Sequence, residues 1–303
     1  LRELTTEGVD HLLRSRDFRA INVTIPYKET VIPYLDEISE SAKKIGAVNT
    51  IVNRNGVLYG DNTDYAGAAA LIRHAGVSIQ GRRVLILGTG GASKTLRAVA
   101  RDLGAREIAV ASRHPNAQQI SYDQARAFDA EVLVNTTPVG MFPENGACPI
   151  DPDAFPSLSG AIDVIYNPLR TRLILEAQRR GVPAEGGLYM LSAQAVYASA
   201  LFTGAAADET LIERAYREVL LEKENVVLIG MPSCGKTTVG RALSKMTGRP
   251  LLDTDEAIVA RAGRSIPEIF ESDGEAAFRA LEREVVEEAA RSSGAIIATG
   301  GGA

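Results

Sequence analysis

The chain has 303 residues, 45% apolar and 23% charged, an ordinary globular balance that excludes wholesale disorder. At about 100–200 residues per domain, that length suggests two domains with part of a third. Its 33 basic and 38 acidic side chains give a net charge of -5, which argues against nucleic acid or an anionic membrane as a partner.

Two cysteines, Cys148 and Cys234, form no disulfide framework and fit a reducing cytoplasm. His11, His74 and His114 have no metal-ligand spacing with either, so zinc is not expected. No apolar run reaches the roughly 18–20 residues of a bilayer span. The opening LRELTTEGVDHLLRSRDFRA also lacks the apolar stretch of a signal peptide. The chain starts on Leu1 and stops in TGGGA, and reads as a fragment cut at both ends.

In chain order, the β-branched runs INVTIP, RRVLILG, REIAVAS, AEVLVNT and GAIDVIYN alternate with amphipathic helices; NVVLIG and GAIIATG follow later. This alternation predicts an α/β architecture of mostly parallel strands covered by helices. The first run delivers Lys28 just beyond Pro26, GAVNT supplies Asn49, and GDNTD puts Asp64 at a helix start. A Lys and an Asp on separate loops could converge as an acid/base pair. The spacing fits equally well a surface lysine and a carboxylate that merely caps a helix.

The run RRVLILG leads into Gly88-Thr89-Gly90-Gly91-Ala92-Ser93 and a helix. This is a dinucleotide-phosphate loop with Ser93 where a third Gly or Ala usually stands. The next strand ends in Ser112-Arg113, where an NAD enzyme would hold an acid; an arginine suits a 2′-phosphate and favours NADP. The helices TLRAVARDLG and TRLILEAQRRG stop at Gly104 and Gly181. Between them, Pro138, Pro143, Pro149, Pro152 and Pro156 predict an irregular loop.

The helix ADETLIERAYREVLLEKE runs into NVVLIG, which predicts a junction at 222–225. A phosphate-binding loop follows, Gly230 to Thr237, between a strand and a helix. Backbone N–H groups of Ser233, Cys234, Gly235 and Thr238 would surround phosphate oxygens, Lys236 would reach the outer phosphates, and Thr237 would hold Mg²⁺.

Taken together, NVTIPYK, GAVNT, GDNTD, GTGGASK, NTTPVGM and GGLYMLSAQA resemble the shikimate dehydrogenase family, in that family's order, over residues 1 to about 222. The resemblance implies a substrate-binding α/β domain (1–65 and 187–222) and a Rossmann NADP domain (66–186). It implies reversible hydride transfer between NADP(H) and the shikimate/3-dehydroshikimate pair, with Lys28 and Asp64 as the catalytic pair. Thr24, Asn49, Asp64, Tyr166 and Gln194 would contact the substrate. Gly88, Thr89, Gly90, Gly91 and Ala92, with Ser112 and Arg113, would hold the NADP phosphates, and Val164 and Gly187 would lie by the nicotinamide.

Residues 225–303 resemble shikimate kinase in the phosphate loop, Asp253-Thr-Asp255, IPEIFESDGEAAFRALE and TGGG. That likeness implies a P-loop α/β domain using ATP and Mg²⁺, with Asp253 assisting Thr237 at the metal and Asp255, Arg279 and Gly301 gripping shikimate. The first family opens with a strand and helix whose loop carries a serine pair for the substrate carboxylate, and the second continues past TGGG with a lid. Neither piece is present, so weakened substrate affinity, about three kinase strands and little kinase activity are expected. The combined expectation is a bifunctional dehydrogenase–kinase. The alternative is a quinate/shikimate dehydrogenase with a non-catalytic, kinase-like regulatory segment. A homodimer is left open.

Overall fold

Asn55 and Gly56 both take positive φ, 54° and 92°, and so close a two-residue hairpin of the kind that matches strand twist. In the computed structural model, which describes residues 4–301, this hairpin joins β3 (Thr50–Arg54) to β4 (Val57–Asp61). The helices and strands before it are α1 (Thr6–Ser15), β1 (Ala20–Asn22), β2 (Glu37–Ile38) and α2 (Glu40–Ile45). Among the described residues the sheet runs β1-β3-β4-β2, with β1 and β4 antiparallel to β3 and only β2 parallel to β4. The expected parallel rule therefore fails for the first sheet, because a two-residue connection joins only antiparallel neighbours. Thr5 and Ser39 cap α1 and α2 through their hydroxyls, and Leu13, Val31, Ile51 and Leu58 form the core beneath them.

After α3 (Thr63–His74) the alternation becomes regular: β5 (Arg83–Leu87), α4 (Gly91–Asp102), β6 (Glu107–Ala111), α5 (Tyr122–Ala127), β7 (Val132–Asn135), β8 (Gly160–Asp163), α6 (Arg172–Arg179) and β9 (Ala184–Glu185). These strands are all parallel, in the order β6-β5-β7-β8-β9. Side-chain alternation divides the burial between two faces. Val84 and Ile86 join the cluster of α3 and α4, whereas Leu85 and Leu87 join that of α5 and α6. Each such fully buried side chain contributes roughly 1.5–3 kcal/mol relative to exposure. Gly104 and Gly181 lie just past α4 and α6 with φ of 79° and 71°, as the sequence predicts. The proline-rich segment is irregular apart from one 3-10 turn, Pro152–Ala154. The strand order reverses between β5 and β7, and the carboxyl ends at such a reversal are where open α/β sheets bind ligands.

The helix α7 (Leu188–Thr203) lies along α3 so closely that a Cβ on Gly67 would stand 2.8 Å from the Met190 carbonyl oxygen. The His74 ring stacks on Tyr189 at 3.8 Å, and Tyr216 of α8 (Glu209–Lys223) meets both edgewise. This histidine is a packing residue.

The chain divides into two compact units, Leu1–Tyr216 and Arg217–Ala303, with the division inside α8. The second unit contains β10 (Val226–Leu228), α9 (Lys236–Thr247), β11 (Leu251–Asp253), α10 (Thr254–Ala262), α11 (Ile266–Ala289) and β12 (Ile296–Ala298). Its described strands are parallel in the order β10-β12-β11. A capping box between Ser265 and Glu268 starts α11, and Gly274, at φ 81°, kinks it. Ile229 and Met231, in the loop just past β10, are 75% and 77% exposed. Among the described residues no helix is long and apolar enough to cross a membrane.

Candidate active site

The hairpin register gathers the polar residues of the first segment. Thr50 stands opposite both Asn22 and Asp61, so the end of β1, the start of β3 and the end of β4 lie together. Lys28 follows the first, Asn49 precedes the second and Asp64 follows the third. The Val48 N–H donates to the Lys28 carbonyl at 2.8 Å and fixes that backbone. The Lys28 ammonium then reaches Asp64, Nζ to Oδ2 2.7 Å, with the two side chains only 25% and 21% exposed.

Asp64 is not the cap of α3. Asn62 holds that position, and Asp64 is the second helical residue, where a negative charge suits the helix dipole. The Asn49 Oδ1 accepts from Thr63 N–H at 2.8 Å and from the Thr50 hydroxyl at 3.0 Å. Asn49 thereby supports the start of α3 from outside, while its amide nitrogen makes no hydrogen bond among the described residues. Gln194 lies on α7 with its Cβ against Gly67, three residues along α3 from Asp64. Thr24 and Tyr166 are exposed. No hydrogen bond joins Thr24, Tyr166 or Gln194 to the Lys28–Asp64 pair.

The second group forms at the strand-order reversal. Gly88 has φ of 100°, and a Cβ there would lie 2.9 Å from Thr137 and 3.0 Å from Thr136, in the loop after β7. Gly90 is the N-terminal cap residue of α4 and supplies no side-chain bond to it. Nothing lies within 4 Å of where a Cβ on Gly90 or Gly91 would stand. A ligand can therefore approach this backbone closely, and no side chain caps the first-turn N–H groups of α4, as suits a phosphate. Thr89 is exposed there and Ala92 half-buried. Past β6, the Ser112 hydroxyl accepts from the His114 N–H at 3.1 Å, and Arg113 is exposed. These residues fit a dinucleotide phosphate.

Gly187 meets Val164 directly. Its N–H donates to Ile165 O at 2.8 Å, and a Cβ would overlap the Val164 carbonyl. Gly187→Ala should therefore force β8 and α7 apart, at about 1–3 kcal/mol of stability, and weaken NADP binding. Thermal unfolding with and without NADP checks this; unchanged values would show that the junction yields freely.

A buried network near this junction lies outside the motifs that the sequence offers. Asn135 and Asp163 are fully buried at the ends of β7 and β8. The Asp163 carboxylate accepts from Asn135 Nδ2 (3.1 Å to each oxygen), the Thr171 hydroxyl (2.7 Å) and Ile165 N–H (3.0 Å). Burial pushes its pKa up to about 6 despite these donors. An acid inside the apolar run GAIDVIYN is itself a signal, since such a group is buried only when hydrogen-bonded.

In the second unit, Gly230, Ser233 and Gly235 take positive φ, and a Cβ on Gly230 would approach Cys234 Sγ at 2.9 Å. The Lys236 ammonium donates to the Gly230 and Met231 carbonyls at 2.8 and 2.9 Å. The Thr237 hydroxyl donates to Asp253 Oδ2 at 2.6 Å, while the other Asp253 oxygen caps α10. Thr237 and Asp253 are thus adjacent hard-oxygen donors, which suits Mg²⁺. Among the described residues, no three or more His, Cys, Asp or Glu side chains form a metal cluster. Ser233, Cys234 and Thr238 are exposed along the loop and the start of α9. A Cβ on Gly300 would stand 2.8 Å from Asp255 Oδ1 and 3.2 Å from Glu282 Oε1. Arg279 pairs with Glu282 at 2.7 Å, and Gly301 packs on Pro232. Burial, then the charges of Asp253 and Glu282, raises the pKa of Asp255.

Residues 3–51 match the family described as the shikimate dehydrogenase substrate binding domain, and residues 232–303 match shikimate kinase. The NADP(+) shikimate dehydrogenase of Clostridium perfringens strain 13 is 36% identical over 218 residues, 68% of this chain and 80% of that one. Two solved structures are similar. A chorismate mutase/shikimate 5-dehydrogenase fusion from Clostridium acetobutylicum has a TM-score of 0.65 at 35% identity, covering 70% of this chain and 81% of that one. Shikimate 5-dehydrogenase from Thermus thermophilus, in complex with NADP(H) and shikimate, has a TM-score of 0.63 at 34% identity, covering 72% and 86%.

Proposed function

Because this chain belongs to the shikimate dehydrogenase family, we propose that it catalyses the reversible NADP-dependent oxidation of shikimate to 3-dehydroshikimate. The observation that carries the reading is the Lys28–Asp64 contact of 2.7 Å at the start of α3. In the reducing direction Lys28 gives a proton to the carbonyl oxygen, and in the oxidising direction it takes that proton from the alcohol. Asp64 holds the ammonium in place. The amide nitrogen of Asn49, with Thr24, Tyr166 and Gln194, recognises the substrate's hydroxyl groups.

NADP would be held by the backbone of Gly88 to Ala92 and by Ser112 and Arg113, with Val164 and Gly187 at its nicotinamide. Bound there, it supplies the hydride acceptor or donor. Residues 1–65 with 187–222 serve as the substrate domain and 66–186 as the NADP domain. Two unpaired cysteines, Cys148 and Cys234, are in keeping with a reducing cytoplasm. The test is NADP⁺ reduction with shikimate, run beside NAD⁺ and quinate. Shikimate-dependent reduction that favours NADP⁺ is expected. NADP⁺ binding without reduction would overturn the reading, and preference for quinate would redirect it.

For residues 225–303 the proposal is the ATP- and Mg²⁺-binding part of a shikimate-phosphorylating site, supported by the kinase-family match and by the Thr237–Asp253 contact of 2.6 Å beside the loop. Phosphoryl transfer needs mainly positioning and charge neutralisation. Lys236 would meet the outer phosphates, Thr237 and Asp253 would hold Mg²⁺, Asp255 would accept the hydroxyl proton, and Arg279 and Gly301 would grip shikimate. Mg²⁺-dependent ATP binding that Lys236→Met abolishes is expected; equal binding by both proteins would remove Lys236 from the site.

A further inference from the structure

The helix that begins at the phosphate loop is tied at both ends to neighbours of the catalytic pair. At the first turn of α4, Lys94 Nζ lies 2.6 Å from Glu29 Oε1, and Glu29 directly follows Lys28. At its other end, Asp102 Oδ2 accepts from Lys44 Nζ of α2 at 2.7 Å and from the Tyr65 hydroxyl at 2.6 Å, and Tyr65 directly follows Asp64. On this helix Lys94 and Asp102 are about 12 Å apart along the axis. Two anchors that far apart restrain its tilt as well as its position.

We infer that α4 couples the two halves of the site: what binds at Gly88 to Ala92 is transmitted through Glu29–Lys94 and Tyr65–Asp102 to the geometry of Lys28 and Asp64, with Glu29 and Tyr65 as positioning residues. The inference rests on the assignments of the pair and of the phosphate loop made above. Glu29 and Lys94 are both largely exposed, and pairs in such settings contribute little to stability. Their loss is therefore read in alignment and not in folding. The Tyr65 contact is steadier. Burial, together with the bond to Asp102, pushes its hydroxyl up to about 12, so it remains a donor throughout the working range. Neither Glu29 nor Tyr65 was singled out by sequence, because each contact joins residues tens of positions apart.

Linkage makes the idea testable. If α4 couples the sites, reduced cofactor and shikimate, which cannot react with each other, bind with mutual dependence, and the factor is the same from either direction. NADPH fluorescence titrations with and without shikimate measure it. Glu29→Gln and Tyr65→Phe should each reduce this factor and kcat by about fivefold, the low end of measured couplings. Their Kd for NADPH alone should stay at the wild-type value, and so should the thermal unfolding of Glu29→Gln. The exchange of charges, Glu29→Lys with Lys94→Glu, should restore most of the kcat that Glu29→Lys alone loses.

Unchanged kcat and unchanged coupling in Glu29→Gln and Tyr65→Phe would overturn the inference. So would a charge exchange no better than Glu29→Lys alone, or a loss of NADPH affinity confined to Lys94→Met, which would make Lys94 a direct phosphate contact. A wild-type protein that neither binds NADPH nor oxidises shikimate would instead remove the functional reading beneath it.

Discussion

Replacement of Lys28 by methionine is expected to lower turnover about a hundred- to ten-thousandfold, the usual worth of a positioned proton donor, while NADP affinity stays near wild type. On the barrier this is about 3–5 kcal/mol. Methionine keeps a long apolar stem and removes only the ammonium, so the turn that carries position 28, fixed by the Val48–Lys28 backbone bond at 2.8 Å, has no reason to move. The phosphate cradle is built from Gly88, Gly90, Gly91 and the start of α4, and makes no hydrogen bond to Lys28. Asp64→Asn supplies the companion case. An amide oxygen there can still accept from Lys28, but the negative charge that holds the ammonium in place is gone. Turnover should fall here too, with the helix start intact because Asn49 and not Asp64 bonds the Thr63 N–H. Steady-state kcat and KM, with NADPH titrations on the same proteins, give the answer. A Lys28→Met protein within about tenfold of wild type would put the proton on another group.

Spacing could nominate Lys28 and Asp64 but could not bring them together, and the reason lies in the strands between them. Their approach depends on antiparallel pairing of β1 with β3 and of β3 with β4. The sequence carried a direct mark of that pairing, Asn-Gly between the apolar-alternating stretches TIVNR and VLYGD. The parallel rhythm of the following segment, extended backward, masks that mark. That rhythm is legible where strands are apolar runs buried on both faces, as in RRVLILG and AEVLVNT. It fades for β2, β9 and β11, which are two or three residues long and owe their form to neighbours. The phosphate loops were the most legible parts, since strand, glycines and helix are contiguous in each. Gly187 entered by resemblance alone. Its physical requirement, contact with the Val164 carbonyl, joins residues that only the fold makes adjacent.

The buried Asp163 leads to the second large effect, a stability that falls as pH rises. In the unfolded chain its carboxyl loses its proton near 3.8, and in the native state only at about 6. Between those values the native state binds more protons than the unfolded one, so each rise in pH favours unfolding. Two pKa units at about 1.4 kcal/mol each put the whole effect near 3 kcal/mol, complete above about pH 6 and absent below about pH 4. Carboxylates that the fold holds below their ordinary values, such as Asp36 beside the Leu58 N–H and Arg16, act in the opposite sense, so the net curve of the wild type does not isolate Asp163. The difference from Asp163→Asn does. The asparagine oxygen can accept from Ile165 N–H and Asn135, and its amide can donate to Thr171, whose hydroxyl is able to accept. Urea unfolding of the two proteins near pH 4 and near pH 7 should show the variant gaining roughly 3 kcal/mol on the wild type across that interval. Parallel curves would mean that the network ionises Asp163 as readily as water does. The three donors, and not burial, would then set its charge at the junction that carries Val164 and Tyr166.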